Sequence, residues 1–210
     1  MDMENKKGTT TIGMVCGDGV VIATEHRATM GTMIAHKTAK KVYKINDHIA
    51  MTTAGLVGDA QMLARYLKVE TDLYQLQRGD DIPVKGAATL MSNILNQRKF
   101  APYYVQLIIG GVDKSGPHIF SIDAAGGSIE DKYTTTGSGS PYVFGVLEDN
   151  YRDDITIEEG IDLVIRALSA AMKRDSASGN GMDIVAITPK EYREIAQEEI
   201  DKRKNKLEIS

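Results

Sequence analysis

The hydrophobic spacing of this chain switches repeatedly between period two and helical period, and the order of those switches constrains its fold most. Thr9 to Cys16 is β-rich, Gly17-Asp18-Gly19 is a turn signal, and Val20 to Glu25 reads as the return strand. Gly31 marks a further turn. Lys41 to Ile45 alternates polar and apolar, Asn46-Asp47 turns, and His48 to Ala54 is strand-like. From about Gly58 to Arg78 the apolar residues Met62, Leu63, Tyr66, Leu67, Leu73 and Leu76 recur at helical spacing. Gly79 to Pro83 ends that helix and begins another, with Ala87, Leu90, Met91, Ile94 and Leu95 on one face. Strands return at Tyr103 to Val112 and His118 to Asp123, and a third is predicted from Ser128 to Thr134.

A Gly/Ser loop, Thr136 to Pro141, then leads into a helix at Tyr142 to Glu148. Thr156 with Glu159 three residues on is a capping box. It opens a helix to about Arg174 whose apolar face carries Ile161, Val164, Ile165, Leu168 and Met172. Asp183 to Thr188 reads as a buried strand, and Pro189 suits the first turn of a terminal helix. Parallel βαβ units would alternate one by one, and these elements do not. The order predicts an α+β fold in one domain, with antiparallel sheets covered by helix layers.

A chain of 210 residues can bury a sizeable core without disulfides or metals. The formal net charge of −4 argues against a sequence-independent nucleic-acid binder. With a single cysteine, Cys16, no internal disulfide forms and a reducing compartment is expected. Cys16 ends an apolar strand, which suits a small buried side chain better than a nucleophile. MDMENKKG lacks the apolar stretch of a secretory signal and no run is long enough to span a membrane, so a cytoplasmic protein is expected. His26, His36, His48 and His118 are scattered without metal-ligand spacing, and no phosphate-binding or dinucleotide motif is present. No metal or cofactor is expected.

The remaining candidate chemistry lies in KKGTTTIG. A cut between Gly8 and Thr9 would leave a threonine carrying a nucleophile and a base on one residue. The freed α-amine, with a pKa near ~8, accepts a proton at neutral pH, whereas a threonine hydroxyl alone is a poor nucleophile. Gly8 suits a cut site because it crowds the attacking hydroxyl least. A buried lysine nearby would lower the pKa of both groups. Lys40 and Lys41 both begin a strand of the same meander, and Glu25, ending the neighbouring strand, is an acid able to hold either one. Ala54-Gly55 ends a strand before a helix, where a backbone N–H can face an oxyanion. Each feature also has a plain reading, as strand threonine, surface charge or turn glycine.

The stretches GTTTIG (8–13), ATEHRAT (23–29), KTAKKVYKI (37–45), TAGLVGDAQ (53–61), SIDAAGGS (121–128), TGSGSPYV (136–143) and RDSASG (174–179) together resemble the archaeal-type proteasome β-subunits. These are N-terminal-nucleophile hydrolases. The resemblance covers nearly the whole chain in the family's order. It implies a four-layer αββα sandwich, with residues 1–8 a propeptide removed autocatalytically and residues 9–210 the catalytic domain. It implies Thr9 as nucleophile, Lys41 rather than Lys40 as the active-site lysine, and Glu25 as its acid, where many relatives carry Asp. Arg27 resembles a structural partner beside that pair. Gly55 would supply the oxyanion N–H, and Ser138, Asp175 and Ser178 would orient the Thr9 amine and a water. Ala28, Ala39, Thr53 and Val57 match positions lining the pocket for the residue before the cut. With no charge among them, cleavage after bulky apolar residues is expected.

The same resemblance implies partners: copies of this chain in seven-membered rings, α-subunits capping them in a barrel, and a regulatory ATPase reached through the α ring. Unfolded polypeptides would be the substrates, and neither nucleic acid nor membrane is implied. Three other readings stand beside it: a non-catalytic ring subunit of the same fold, a simpler hydrolase of the same superfamily, and a binding module in which Thr9 is only a strand residue.

Overall fold

The computed structural model describes residues 8–209, so of the expected propeptide only Gly8 lies within the described residues. In chain order the first half holds strands β1 (Thr10–Cys16), β2 (Gly19–Glu25), β3 (Ala28–Met30), β4 (Met33–His36), β5 (Val42–Lys44) and β6 (Ile49–Gly55), then helices α1 (Val57–Arg78) and α2 (Val84–Gln97). The second half holds β7 (Val105–Asp113), β8 (Gly116–Ile122), β9 (Ser128–Glu130), β10 (Tyr133–Gly137), α3 (Ser140–Asn150), α4 (Ile157–Arg174), β11 (Met182–Ile187), β12 (Tyr192–Glu194) and α5 (Gln197–Lys206).

Two antiparallel five-stranded sheets result, ordered β10-β1-β2-β11-β12 and β5-β6-β7-β8-β9, with β3–β4 a separate hairpin. Helices α3, α4 and α5 pack on the outer face of the first sheet, where Ile12, Met14, Val164 and Leu168 share one core. Helices α1 and α2 cover the second sheet through Leu63, Leu67, Met91 and Leu95 against Met51 and Leu107. A third core of Ile22, Val42, Ile108 and Val185 fills the space between the sheets. The architecture is therefore the expected α+β sandwich, with two sheets between helix layers.

Local chemistry accounts for the helix covering the first sheet. The Thr156 hydroxyl accepts from the Glu159 N–H, and the Glu159 carboxylate accepts from the Thr156 N–H, closing the capping box. Such a cap contributes about 1 kcal/mol. Ile161, Val164, Ile165 and Leu168 then fall on the buried face. In α1 the helical apolar spacing is divided. Leu63 and Leu67 are buried, whereas Tyr66, Leu73 and Leu76 are exposed.

Two expectations are corrected. The run Ser128 to Thr134 is two strands in different sheets, not one. The chain crosses between sheets within two residues: Asp131 N–H donates to Ile119 O, whereas Lys132 O accepts from Val15 N–H. Alternating polarity cannot reveal such a crossing, because both segments keep the same period. Pro189 does not open the terminal helix. It lies in a turn in which Thr188 N–H donates to Glu191 O, and β12 follows before α5 begins at Gln197. Proline presets the backbone for a turn as readily as for a helix start. The expected turn at Gly31 also closes a hairpin, β3–β4.

Strand pairing converges at one end of the sandwich. Thr10 faces Gly137, Thr11 faces Thr24, and Met182 faces Glu25, which gathers four strand ends of the first sheet. Across from them, Val42 pairs with Thr52, and Thr53 N–H donates to Lys41 O, placing Lys41 and Gly55 at the matching end of the second sheet. Among the described residues no helix is long and apolar enough to cross a membrane.

Candidate active site

Thr9 directly precedes β1 and is 5% exposed. Its neighbour Thr10, the first residue of β1, is fully buried. Glu25, the last residue of β2, is also fully buried, and both of its carboxylate oxygens are occupied. Oε1 accepts from the Lys41 ammonium and from Thr10 N–H at 3.2 Å. Oε2 accepts from Arg27 N–H at 2.6 Å and Gly179 N–H at 2.9 Å. A buried carboxylate is tolerated only with such a complement of donors. The one acid thus ties together the strand behind Thr9, the lysine and the loop before β11.

Lys41 also donates to Arg27 O at 2.5 Å. Burial pushes the Lys41 pKa below the usual lysine range, and the adjacent Glu25 carboxylate works against that fall. Lys40, the alternative on sequence grounds, carries an exposed side chain paired with Glu194 at 3.9 Å. Geometry therefore separates the two lysines.

A second cluster closes the other side. Asp175 caps the C-terminus of α4, and its Oδ2 accepts from the hydroxyls of Ser138 and Ser178, each at 2.6 Å. With the Ser178 proton committed to Asp175, Thr10 Oγ1 donates to Ser178 Oγ at 2.6 Å. The Ser138 proton is likewise committed, so its 3.5 Å approach to Thr9 O is a contact between neighbours. Arg27 fastens this loop from outside, its guanidinium donating to Asn180 Oδ1 at 2.8 Å and Ser176 O at 2.6 Å. A Cβ at Gly179 would come within 2.4 Å of that guanidinium, so a side chain there would push Arg27 out of this position.

Thr9, Lys41 and Gly55 line a cavity of about 720 Å³. Ala28, Ala39, Thr53 and Val57 all line it. Gly55 ends β6 with φ 129°, and a Cβ there would meet Tyr104 O at 2.0 Å. Thr9, Glu25, Lys41, Gly55, Ser138, Asp175 and Ser178 thus lie around one end of the sandwich. Among the described residues no group of three or more His, Cys, Asp or Glu could hold a metal ion.

The family profile described as "Proteasome subunit" matches residues 5–187. The chain belongs to the proteasome subunit family. It is 61% identical over 202 residues to the "Proteasome subunit beta" of Ferroglobus placidus, covering 96% of each chain. It is 59% identical over 195 residues to that of Methanosarcina barkeri, covering 92% of each. The relative from Methanohalophilus mahii is 59% identical over 197 residues, covering 93% of this chain and 94% of its own. These relatives place the chain with the archaeal β-type subunits of the proteasome family.

The sequence reading did not find several further residues on the cavity wall of this proteasome subunit, among them Met30, His36, Tyr43 and Gln61. Two had a signal. Gln61 follows Val57 by one helical turn, and Tyr43 follows Lys41 by the strand period, so each shares its neighbour's face. Met30 and His36 lie on the β3–β4 hairpin, which the spacing did not reveal. Asn180 was missed as well. It stands at φ 68°, in the left-handed region that asparagine enters more readily than most residues.

Proposed function

We propose that this chain is the catalytic β-subunit of a proteasome core, a threonine endopeptidase that hydrolyses unfolded proteins to short peptides. Residues 1–8 are its propeptide. The observation that carries the reading is the position of Thr9, at the floor of a cavity, beside a buried Lys41–Glu25 pair and the Asp175–Ser138–Ser178 cluster.

Self-cleavage between Gly8 and Thr9 frees the α-amine, which is a peptide nitrogen in the uncut chain. The Thr9 hydroxyl then attacks a substrate carbonyl, its proton passing to the amine directly or through a water. The Lys41 charge, held by Glu25, favours the ionised hydroxyl oxygen. Gly55 N–H receives the developing oxyanion. The amine returns its proton to the leaving peptide, and water resolves the ester on Thr9. The threonine methyl restricts the hydroxyl to fewer orientations than serine would allow. Ser138, Asp175 and Ser178 orient the amine and the water.

The active unit is a seven-membered ring of this chain, stacked on a second and capped by rings of α-subunits that meet a regulatory ATPase. Enclosure within that barrel keeps an unspecific peptidase from other proteins.

The intact mass of the chain after co-assembly with α-subunits tests this reading. A mass beginning at Thr9 for wild type, with Thr9→Ala remaining full length and inactive, is expected. A full-length wild-type mass in finished barrels would overturn it in favour of a non-catalytic ring subunit.

A further inference from the structure

Gly8, the residue before the proposed cut, is itself held in place. It is buried, and its N–H donates to the hydroxyl oxygen of Thr29 at 3.2 Å. Thr29, in the middle of β3, is 6% exposed. On the other side of the junction, Thr10 N–H donates to Glu25 Oε1, also at 3.2 Å. The Gly8–Thr9 peptide therefore lies between two N–H groups, each anchored to a buried acceptor from a different element. The space around Gly8 is also closed: a Cβ there would stand 1.8 Å from Ala177 Cβ and 2.8 Å from Ser138 Oγ.

Glycine is the residue least able to hold its own backbone conformation. The Thr29 hydrogen bond supplies the restraint that Gly8 lacks. It holds the N–H side of Gly8 while the Thr10 N–H is held by Glu25, and together the two narrow the directions in which the Gly8 carbonyl can face the Thr9 hydroxyl. Intramolecular attack is steeply sensitive to such orientation.

We propose that Thr29 is a positioning residue for self-cleavage, acting through the Gly8 amide rather than on the reacting atoms. This rests on the reading of Gly8–Thr9 as a self-cut junction. In the step it serves, a bond forms between Thr9 Oγ1 and the Gly8 carbonyl carbon. The Gly8–Thr9 C–N bond breaks, and the hydroxyl proton goes to the departing Thr9 nitrogen. Water then hydrolyses the ester, releasing the Gly8 carboxylate and restoring the hydroxyl beside a free amine. Once Gly8 has left, the Thr29 hydroxyl has lost this partner, so the restraint belongs to the uncut chain.

The test compares full-length wild type, Thr29→Val and Thr29→Ser, each co-assembled with α-subunits. Intact mass followed over time gives the rate at which chains beginning at Thr9 appear. Peptide hydrolysis per processed chain gives the mature activity. Valine keeps the β-branched shape and removes only the hydroxyl. Losing one neutral hydrogen bond at this point should slow self-cleavage about five- to tenfold. The ratio of self-cleavage rate to kcat should fall by a similar factor, and serine should restore it. Should valine prevent assembly, Thr29→Ala and Thr29→Ser form the comparison. Equal self-cleavage rates in valine and wild type would overturn the proposal, as would equal loss of both activities. A wild type that never cuts itself would overturn the junction reading instead.

Discussion

The Lys41 ammonium donates to Glu25 Oε1 where their side chains are only 9% and 0% exposed, and the two partners are unequally supported. Without Lys41, Glu25 still accepts from the N–H groups of Thr10, Arg27 and Gly179. Without Glu25, Lys41 keeps the Arg27 carbonyl, and those three N–H groups lose their acceptor. Glu25→Ala should therefore destabilise the chain by about 3–5 kcal/mol, the range for stranding a buried charge. Lys41→Met should cost less, because the carboxylate it leaves keeps three donors. Both should abolish self-cleavage. Urea unfolding of the two variants checks the order, and equal midpoints would contradict the asymmetry.

His26 follows Glu25, and its Nε2 lies 2.9 Å from Asp183 Oδ1 at the start of β11. The hydrogen bond to Asp183 raises the His26 pKa above its ordinary value, with burial opposing the rise. A raised folded-state pKa means that the folded chain holds this proton more tightly than the unfolded chain. The contribution is full below the unfolded pKa of about 6.5 and is lost as pH rises through the higher folded value. His26→Gln should thus destabilise the protein more at about pH 5.5 than at about pH 9. The difference in urea midpoint between wild type and variant, measured at both pH values, checks the sign. An unchanged difference would mean that the pair does not couple to protonation.

These two pairs also mark how far the sequence could be read. Glu25 and the lysine pair were legible as strand-end residues of one meander. Choosing Lys41 required knowing which lysine points between the sheets, and a strand start does not settle its own parity. The sheet content was legible because β1, β2 and β6 are short runs rich in β-branched and apolar residues, with a turn signal between the first two and Gly55 ending the third. The β9–β10 crossing was not, since its cause is a switch of hydrogen-bond partner between Asp131 and Lys132. The β12 strand was hidden because Pro189 serves a turn and a helix start equally well. Arg27's hold on Asn180 spans 153 residues of sequence, and contacts of that range leave no local signature.

Cys16 is fully buried under α4, where a Cβ at Gly160 would come within 2.5 Å of its sulfur. Burial, aided by the nearby Glu159 carboxylate, pushes its thiol pKa up to about 12. The thiolate is the reactive form, so the folded protein should resist alkylation near pH 8 by about a hundredfold or more relative to the unfolded chain. Cys16→Ala should leave peptide hydrolysis intact at a stability cost of about 1 kcal/mol. Labelling with iodoacetamide with and without urea checks the first point. Rapid labelling of the folded chain would show that the strand end opens.

The cavity beside Thr9 has a definite chemical character. Ala28, Ala39, Val57 and Met30 supply apolar walls, Thr53 and Tyr43 add hydroxyls, and among the described residues that line it there is no carboxylate. A basic side chain finds no countercharge on this lining, whereas an apolar one gains by leaving water. Peptides whose residue before the cut is Leu, Phe or Tyr should therefore be hydrolysed with a kcat/KM about tenfold or more above those ending in Arg. Ala28→Leu should narrow the cavity, lowering kcat/KM for Tyr about tenfold while sparing Ala at the same position. Both readouts come from one panel of fluorogenic peptides. If Arg were cut as fast as Tyr, or if Ala28→Leu left the ratio of Tyr to Ala unchanged, this cavity would not be the pocket for the residue before the cut.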